Sequence, residues 1–168
     1  MAVNPNWARW VFASVATYLR DIAKEAKLPV LVEGLDDRTN EFMEATDRCE
    51  VRITGPYTRE VSRNYFQVTL LVNVLFTSHY EEQKNQYAIL NAIGVFHEAM
   101  DGPIAVYKYG NGPDDDEHEL VGCLIPANGK NDSVRVLHFG QTDPTTRLKQ
   151  SMVDASYKME ISTNDLDR

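Results

Sequence analysis

The feature that most constrains the fold is the alternation of apolar and polar residues in positions 65–78, YFQVTLLVNVLFTS. Successive side chains of a β-strand point to opposite faces of the sheet, so this spacing predicts a single strand with one fully apolar face. At roughly 3.3 Å per residue the stretch spans about 46 Å, whereas a mean strand has about 5–6 residues. We therefore expect one end of the strand to project, or to enter a sheet completed by another chain. The apolar positions are Phe66, Val68, Leu70, Val72, Val74 and Phe76.

The length and composition of the chain fit one globular domain, residues 1–168, with a frayed polar tail at 162–168. The formal net charge of −8 disfavours a protein that grips nucleic acid, because neutralising phosphates requires a basic face. The first residues lack the basic and apolar regions of a signal peptide. No apolar run approaches the ~20 residues of a membrane span. The sequence thus predicts synthesis in the cytoplasm and no membrane partner.

Two helices and six further strands complete the predicted order. An amphipathic pattern begins at Trp7, and a second helix follows residue 78, with Ser78 as the predicted N-cap and Gly94 interpreted as a point of close helix–sheet approach. The shorter strands are predicted at 29–33, 49–54, 104–109, 119–125, 133–139 and 152–161.

This order predicts an α+β domain with a mainly antiparallel sheet, a long projecting β-hairpin and two flanking helices. Residues 34–48 read as a polar loop, and Gly55 and Pro56 as a turn of the chain. The hairpin, residues 49–78, is expected to have a broad tip rather than a tight two-residue turn. Cys49 and Cys123 are predicted to be buried, reduced thiols.

The residues that could carry chemistry do not form a recognised site. His97 and Glu98 lack the second histidine of a zinc motif, and no nucleophile elbow, dinucleotide fingerprint or phosphate loop occurs. Consecutive carboxylates near His118 lack the spacing of a calcium loop, so a solvated or pore-facing loop is the favoured interpretation. The sequence therefore predicts no enzyme, no catalytic residue, no cofactor and no metal. The carboxylates are Asp114, Asp115, Asp116 and Glu117.

Three stretches of the chain resemble structural proteins of tailed bacteriophages, and the order of elements is similar to that of tail terminator proteins. The stretches are ITGPYTREVSRNYFQVTLLVNVLF at 53–76, YKYGNGPDDDEHELVGCL at 107–124, and HFGQTDPTTRLKQSMVDASYKMEI at 138–161. The resemblance implies a homohexameric ring in the virion that caps the tail tube and joins it to the neck. It implies the tube protein and the connector as partners, and DNA that passes without sequence-specific binding.

On this interpretation we expect one set of residues between subunits and another in the lumen. Acidic side chains repel phosphate, so the carboxylates at 114–117 are expected to line the channel. Another neck or collar adaptor or a tube subunit remains an alternative, as does a small cytoplasmic α+β enzyme or ligand-binding domain with a concave pocket. The candidate interface residues are Tyr57, Arg59, Tyr65, Gln67, Leu71 and Leu75.

Overall fold

The computed structural model describes residues 6–79, 83–109, 118–127, 134–143, 145 and 147–162, with the side chains of 83–86 and 143 excepted. Its helices are α1 (Trp7–Glu25), α2 (Asn40–Glu44) and α3 (Gln83–Met100). Its strands are β1 (Val30–Val32), β2 (Asp47–Ser62), β3 (Tyr65–His79), β4 (Ile104–Lys108), β5 (Glu119–Pro126), β6 (Val134–Asp143) and β7 (Leu148–Ser162). The predicted α+β class is confirmed, and all the predicted strands are present.

The strands form one curled sheet in the order β1-β2-β3-β7-β5-β4, with β6 also paired to β7. Neighbouring strands are antiparallel except for β1 and β2, which are parallel. Strands β5 and β6 lie end to end along the same edge of β7, because β5 pairs with Tyr157 and Lys158 while β6 pairs with residues 148–155. The middle of the sheet is therefore the four-stranded antiparallel unit β2-β3-β7-β6.

The apolar face of β3 forms the centre of the core, as its alternation predicts. The side chains at even positions from Val68 to Phe76 are at most 1% exposed, and Phe66 is half-buried. Phe76 meets Phe96 of α3 edge to face, with ring centroids 5.1 Å apart. Aromatic pairs in this geometry add roughly 0.5–1.5 kcal/mol to area burial. The face of the sheet that carries these residues is thus the one covered by α1 and α3.

The hairpin of β2 and β3 differs from the prediction in three ways. First, β2 is a single strand of 16 residues that continues through Gly55 and Pro56 with a shift of register, where the sequence predicted a turn. Second, the tip is a tight two-residue turn of Arg63 and Asn64, since Ser62 pairs with Tyr65, and Asn64 has a φ of 77°. Third, β7 pairs with β3 from end to end, so β3 does not extend beyond its neighbour.

Helix α1 fills the concave side of the curled sheet and also protects the edge strand β4. The Ser14 hydroxyl accepts a hydrogen bond from the Tyr107 backbone N–H at 2.9 Å. The Trp10 indole donates to the Tyr109 carbonyl at 3.2 Å, and Arg9 donates to the same carbonyl at 3.3 Å. Side chains of the helix therefore occupy one N–H group of β4 and one carbonyl just beyond its end, which would otherwise be open to pairing.

The opposite face of the sheet is partly covered by the segment between β1 and β2, which the sequence predicted to be a structureless loop. It contains the short helix α2, whose N-cap Thr39 accepts a hydrogen bond from the Phe42 N–H. The guanidinium of the buried Arg48 donates to the Met43 and Ala45 carbonyls. Ser78, predicted to cap α3, instead lies within β3, and its hydroxyl donates a hydrogen bond to Asp47. Helix α2, with five residues, is too short to show a helical period in the sequence.

The two cysteines differ in exposure, and the prediction that both are buried is wrong for Cys123, which is exposed. Cys49 is fully buried, and burial, aided by Glu50, raises the pKa of its thiol to about 12. The thiolate is the reactive form. We expect one thiol per native chain to react with Ellman's reagent at pH 8, and two in denaturant. Reaction of both thiols in the native protein, or persistence of native reactivity after Cys123→Ser, would contradict this assignment.

None of the helices in the described part of the chain is both long and apolar enough to span a membrane. Ser162, predicted as the first residue of the frayed tail, closes β7 opposite Tyr65, and the rest of the predicted tail, 163–168, lies outside the described residues.

Candidate assembly surface

The distal half of the β2–β3 hairpin is the most exposed regular structure among the described residues. All side chains from 57 to 65 are exposed, and the larger apolar ones remain so: Tyr57 at 58%, Val61 at 58% and Tyr65 at 52%. On its outer side β2 pairs only with β1, through residues 49–51. Within the described residues, the backbone of β2 beyond Val51 therefore has no strand partner on that side.

Gly55 shapes this half of the hairpin. Its φ of +105° lies in a region that L side chains rarely adopt, and the register shift between Thr54 and Tyr57 occurs at this point. The irregularity places Tyr57 opposite Thr69 and Arg59 opposite Gln67, on the face of the sheet turned away from α1 and α3. We call this face, which also carries Leu71 and Leu75 of β3, the open face.

The structure brings the six predicted interface residues to the open face but not to one patch. Directly opposed residues share a face, and residues two apart along a strand share it too. Five of the six residues form a distal group, in which the Leu71 side chain is 42% exposed and the Tyr57 side chain 58%. Leu75 lies towards the other end of β3 and is half-buried beside Met152, its partner in β7. The distal group consists of Tyr57, Arg59, Tyr65, Gln67 and Leu71.

Sequence reasoning missed the apolar residues of the open face on other strands. Leu137 of β6 pairs with Met152 of β7, which pairs with Leu75 of β3, so three apolar side chains cross three strands. Leu137 is 40% exposed and Phe139, two residues on, 51%. The sequence does show the apolar residues of this strand, in SVRVLHF at 133–139. They could not be assigned to a face of the sheet without the pairing of β6 with β7.

Ion pairs border this apolar row. Arg135 and Asp154 are opposed on β6 and β7 and lie 2.6 Å apart, as cross-strand pairing predicts. Arg52 donates a hydrogen bond to Glu33 of the segment after β1, and this bond holds the pKa of Glu33 below its usual value. Such exposed pairs contribute little to stability, because solvent screens their charges. Their consequence is local neutrality beside the apolar row.

The predicted lumen residues lie in the chain between β4 and β5. Asp114, Asp115, Asp116 and Glu117 lie outside the described residues. His118, at the edge of that gap, packs against Tyr109 with the ring planes tilted by 54° and the centroids 4.5 Å apart. Within the described ranges, the His, Cys, Asp and Glu side chains form no group of three suited to holding a metal ion.

A cleft of about 230 Å³ lies between α3 and the ends of β3, β6 and β7. His138 Nδ1 and Ser151 Oγ are 2.8 Å apart at its rim. A nucleophile and base of this kind need a third group to orient the histidine, and within the described residues no carboxylate hydrogen-bonds His138. The volume also falls below the ~300–1,000 Å³ typical of ligand pockets. Its walls include Phe76, Ile89, Leu90 and Lys149.

Comparison of the chain with protein-family models gives no match, and comparison with curated protein sequences gives none either.

Proposed function

We propose that this protein is a ring-forming structural subunit of a tailed-bacteriophage virion, and specifically the tail terminator. In this role a homo-oligomeric ring, expected to be a hexamer, caps the tail tube and joins it to the neck. The tube protein and the neck connector are its proposed partners, and DNA passes through the ring without sequence-specific contacts. Assembly takes place in the host cytoplasm and the protein ends in the virion.

The observation that carries the proposal is the distal half of the hairpin. An exposed strand edge beside exposed Tyr57, Val61 and Tyr65 is a liability for a monomer, since open edges template pairing with other chains. Aromatic residues are also enriched where interfaces derive most of their affinity. In the proposed ring the neighbouring subunit covers this half of the hairpin, both its strand edge and its exposed apolar side chains.

The alternative neck, collar or tube subunits share this use of a ring, and binding to isolated tail tubes distinguishes a terminator from them. The second class of function, a small enzyme or ligand-binding domain, has the cleft beside His138 and Ser151 as its candidate site. The cleft is small and its histidine lacks a described carboxylate partner, so an assembly role is the better-supported function.

We expect mass photometry of the purified protein to show a closed oligomer near six times 19.1 kDa, alone or recruited onto tail tubes. Val61→Asp and Tyr57→Asp place a charge in the proposed interface. Each is expected to weaken subunit association at least tenfold, because interface anchors contribute about 2 kcal/mol or more. The unfolding midpoint of the monomer should remain nearly unchanged, since substitutions at exposed positions stay within about 0.5 kcal/mol.

The matched control is Tyr87→Asp, which replaces an exposed tyrosine by a charged residue. Tyr87 lies in α3, away from the hairpin, and its side chain is 71% exposed. It should leave association intact. A wild-type chain that stays monomeric and is not recruited by tubes would refute the proposed function. Oligomers indifferent to the hairpin substitutions would refute the surface but not the ring.

A further inference from the structure

The cleft beside α3 is an unfilled part of the sheet face that α1 and α3 cover. Phe76 and Ile89, which line it, are buried, whereas Leu90 on the same wall is 45% exposed. The β6 bulge between His138 and Gly140 lies at its rim, and a Cβ at Gly140 would meet nothing within 4 Å. Bulges re-aim side chains and are frequent beside functional sites. At about 230 Å³ the cleft is smaller than a typical ligand pocket, and its size suits a single aliphatic side chain.

The polar part of the cleft is basic. Lys149 and His138 line it, and none of the described lining residues is an aspartate or a glutamate, although the chain has a net charge of −8. His138 Nδ1 is 2.8 Å from Ser151 Oγ, and its Nε2 has no partner among the described residues. Ser78, also in the wall, donates its hydroxyl to the carboxylate of Asp47, so that carboxylate is already engaged. An apolar side chain flanked by carboxylates therefore matches the cleft in both shape and charge.

The segment that follows β7 has this composition. Residues 163–168, which lie outside the described part of the chain, have the sequence TNDLDR. Leu166 is the one large apolar residue of the segment, and it is flanked by Asp165 and Asp167. The segment thus offers one aliphatic anchor between two negative charges.

The segment cannot reach the cleft of its own chain. Ser162, the last residue of β7, pairs with Tyr65 beside the hairpin tip, whereas the cleft lies at the opposite end of β7, at Lys149. The two ends of β7 are about 40 Å apart at roughly 3.3 Å per residue. Leu166 can lie at most about 14 Å beyond Ser162, because an extended chain spans no more than ~3.6 Å per residue. A Leu166 side chain that occupies this cleft must therefore come from a second copy.

We propose that Leu166 of one copy binds in the cleft of a second copy, with Asp165 and Asp167 at the basic rim. The inference rests on the proposed ring, in which a neighbouring subunit covers the distal half of the hairpin. Ser162 lies beside the tip of that half, so the 163–168 segment starts where the neighbouring copy is expected. The segment and the cleft are different surfaces of the chain, and contacts between unlike surfaces are the type that can close a ring.

A peptide measures the site without the ring. The probe is the fluorescein-labelled peptide EISTNDLDR, residues 160–168, and the receptor is the full chain with Leu166→Ser, whose own segment lacks the anchor. Anisotropy titration up to millimolar receptor should show saturable binding, which weakens at high salt because ions screen the charges at the rim. The same peptide with serine in place of the leucine should bind at least about tenfold more weakly, since burial of the leucine side chain supplies much of the affinity.

Variants of the receptor locate the site. Leu90→Asp places a carboxylate in the wall of the cleft and should weaken peptide binding at least about tenfold. Tyr87→Asp is the matched control, because Tyr87 is exposed on the same helix but does not line the cleft, and it should bind the peptide as the parent does. Absence of saturable binding, or binding that is indifferent to both Leu90→Asp and the serine peptide, would overturn the proposal. Loss of recruitment to tail tubes in Leu90→Asp without peptide binding would assign the cleft to the tube protein and would also overturn it.

Cross-linking tests the contact between copies. The parent is the full chain with Cys123→Ser, which leaves only the buried Cys49. The double variant L90C/D167C, treated with a short bismaleimide as an assembled oligomer, should give a covalent ladder on denaturing gels, and each single-cysteine variant should stay monomeric. Covalent dimers from D167C alone, or a ring seen by mass photometry that gives no ladder, would overturn this contact and leave the proposed ring intact. A chain that forms no oligomer alone or on tail tubes would overturn both.

Discussion

Tyr157→Ala is expected to lower the free energy of unfolding by about 3–5 kcal/mol, the range for truncating large buried aromatic side chains. Tyr157 is fully buried at the point where β7 changes partner from β6 to β5. Its hydroxyl donates to the carbonyl of Met100, the last residue of α3. Burial raises the pKa of Tyr157 well above its usual value, so the phenol keeps the proton it donates. The substitution therefore leaves both a cavity and an unsatisfied helix carbonyl.

Two further tyrosine variants separate these contributions. Tyr157→Phe keeps most of the volume and removes only the hydrogen bond, so it should cost about 1–3 kcal/mol for the unpaired Met100 carbonyl. Tyr87→Ala, at a tyrosine 71% exposed, should stay within about 0.5 kcal/mol of the wild type. Urea unfolding, monitored by circular dichroism, measures the free energy of unfolding of each variant. Equal losses for Tyr157→Ala and Tyr157→Phe would show that packing at this position contributes nothing.

Gly55→Ala is expected to destabilise the hairpin by about 2 kcal/mol or more, since backbone strain of this kind costs about 1–3 kcal/mol before any steric conflict. The φ of +105° is unfavourable for alanine. A Cβ at this position would also lie 3.1 Å from the Thr69 carbonyl oxygen and 3.1 Å from the Tyr57 nitrogen, both backbone atoms of the same hairpin. The expected result is a lower unfolding midpoint and faster amide exchange in residues 55–62.

Gly94→Ala is the matched control, with the opposite expected sign. The sequence suggested that Gly94 permits close approach of α3 to the sheet, but a Cβ there would meet nothing within 4 Å. Alanine should therefore stabilise the helix by about 0.5–1 kcal/mol. A loss of stability in Gly94→Ala, or no loss of stability in Gly55→Ala, would contradict the two assignments. The same urea titrations decide both.

The long strands β3 and β7 could be predicted from sequence because both alternate over their buried lengths. The period-2 pattern of β3 and its apolar face follow directly from side-chain geometry, and its observed bounds, Tyr65–His79, differ from the prediction by one residue. Alternation does not show which strands pair with each other. Strand β7 is 15 residues long and covers β3 completely, so the domain itself builds a sheet as long as its longest strands.

The errors at the ends of elements have a common physical cause. Gly55 and Pro56 are turn residues by propensity, yet the pairing of Tyr57 with Thr69 resumes the ladder beyond them. Ser78 has the composition of an N-cap, but its hydroxyl is used by Asp47 across the sheet. In both places a contact between distant residues decides the conformation over the local preference. Such contacts cannot be seen in a single sequence.

The candidate surface was predictable on the hairpin but not on the other strands. Placing Tyr57 and Leu71 on the same side needs only the strand period and the hairpin pairing. Placing Leu137 and Phe139 on the same face requires the pairing of β6 with β7. Sequence reasoning therefore found the part of the open face that lies on the hairpin and missed the part that lies on β6.

The late position of β7 in the chain has a consequence for biosynthesis. Tyr65 pairs with Ser162, so the central strand gains its second partner only when the last described strand leaves the ribosome. Until then the nascent hairpin displays an apolar surface and an unsatisfied ladder, the kind of intermediate that aggregates. Such non-local pairing also slows folding to milliseconds or seconds. We therefore expect the yield of folded protein to rise when the incomplete sheet is shielded by chaperones or translated slowly at low temperature.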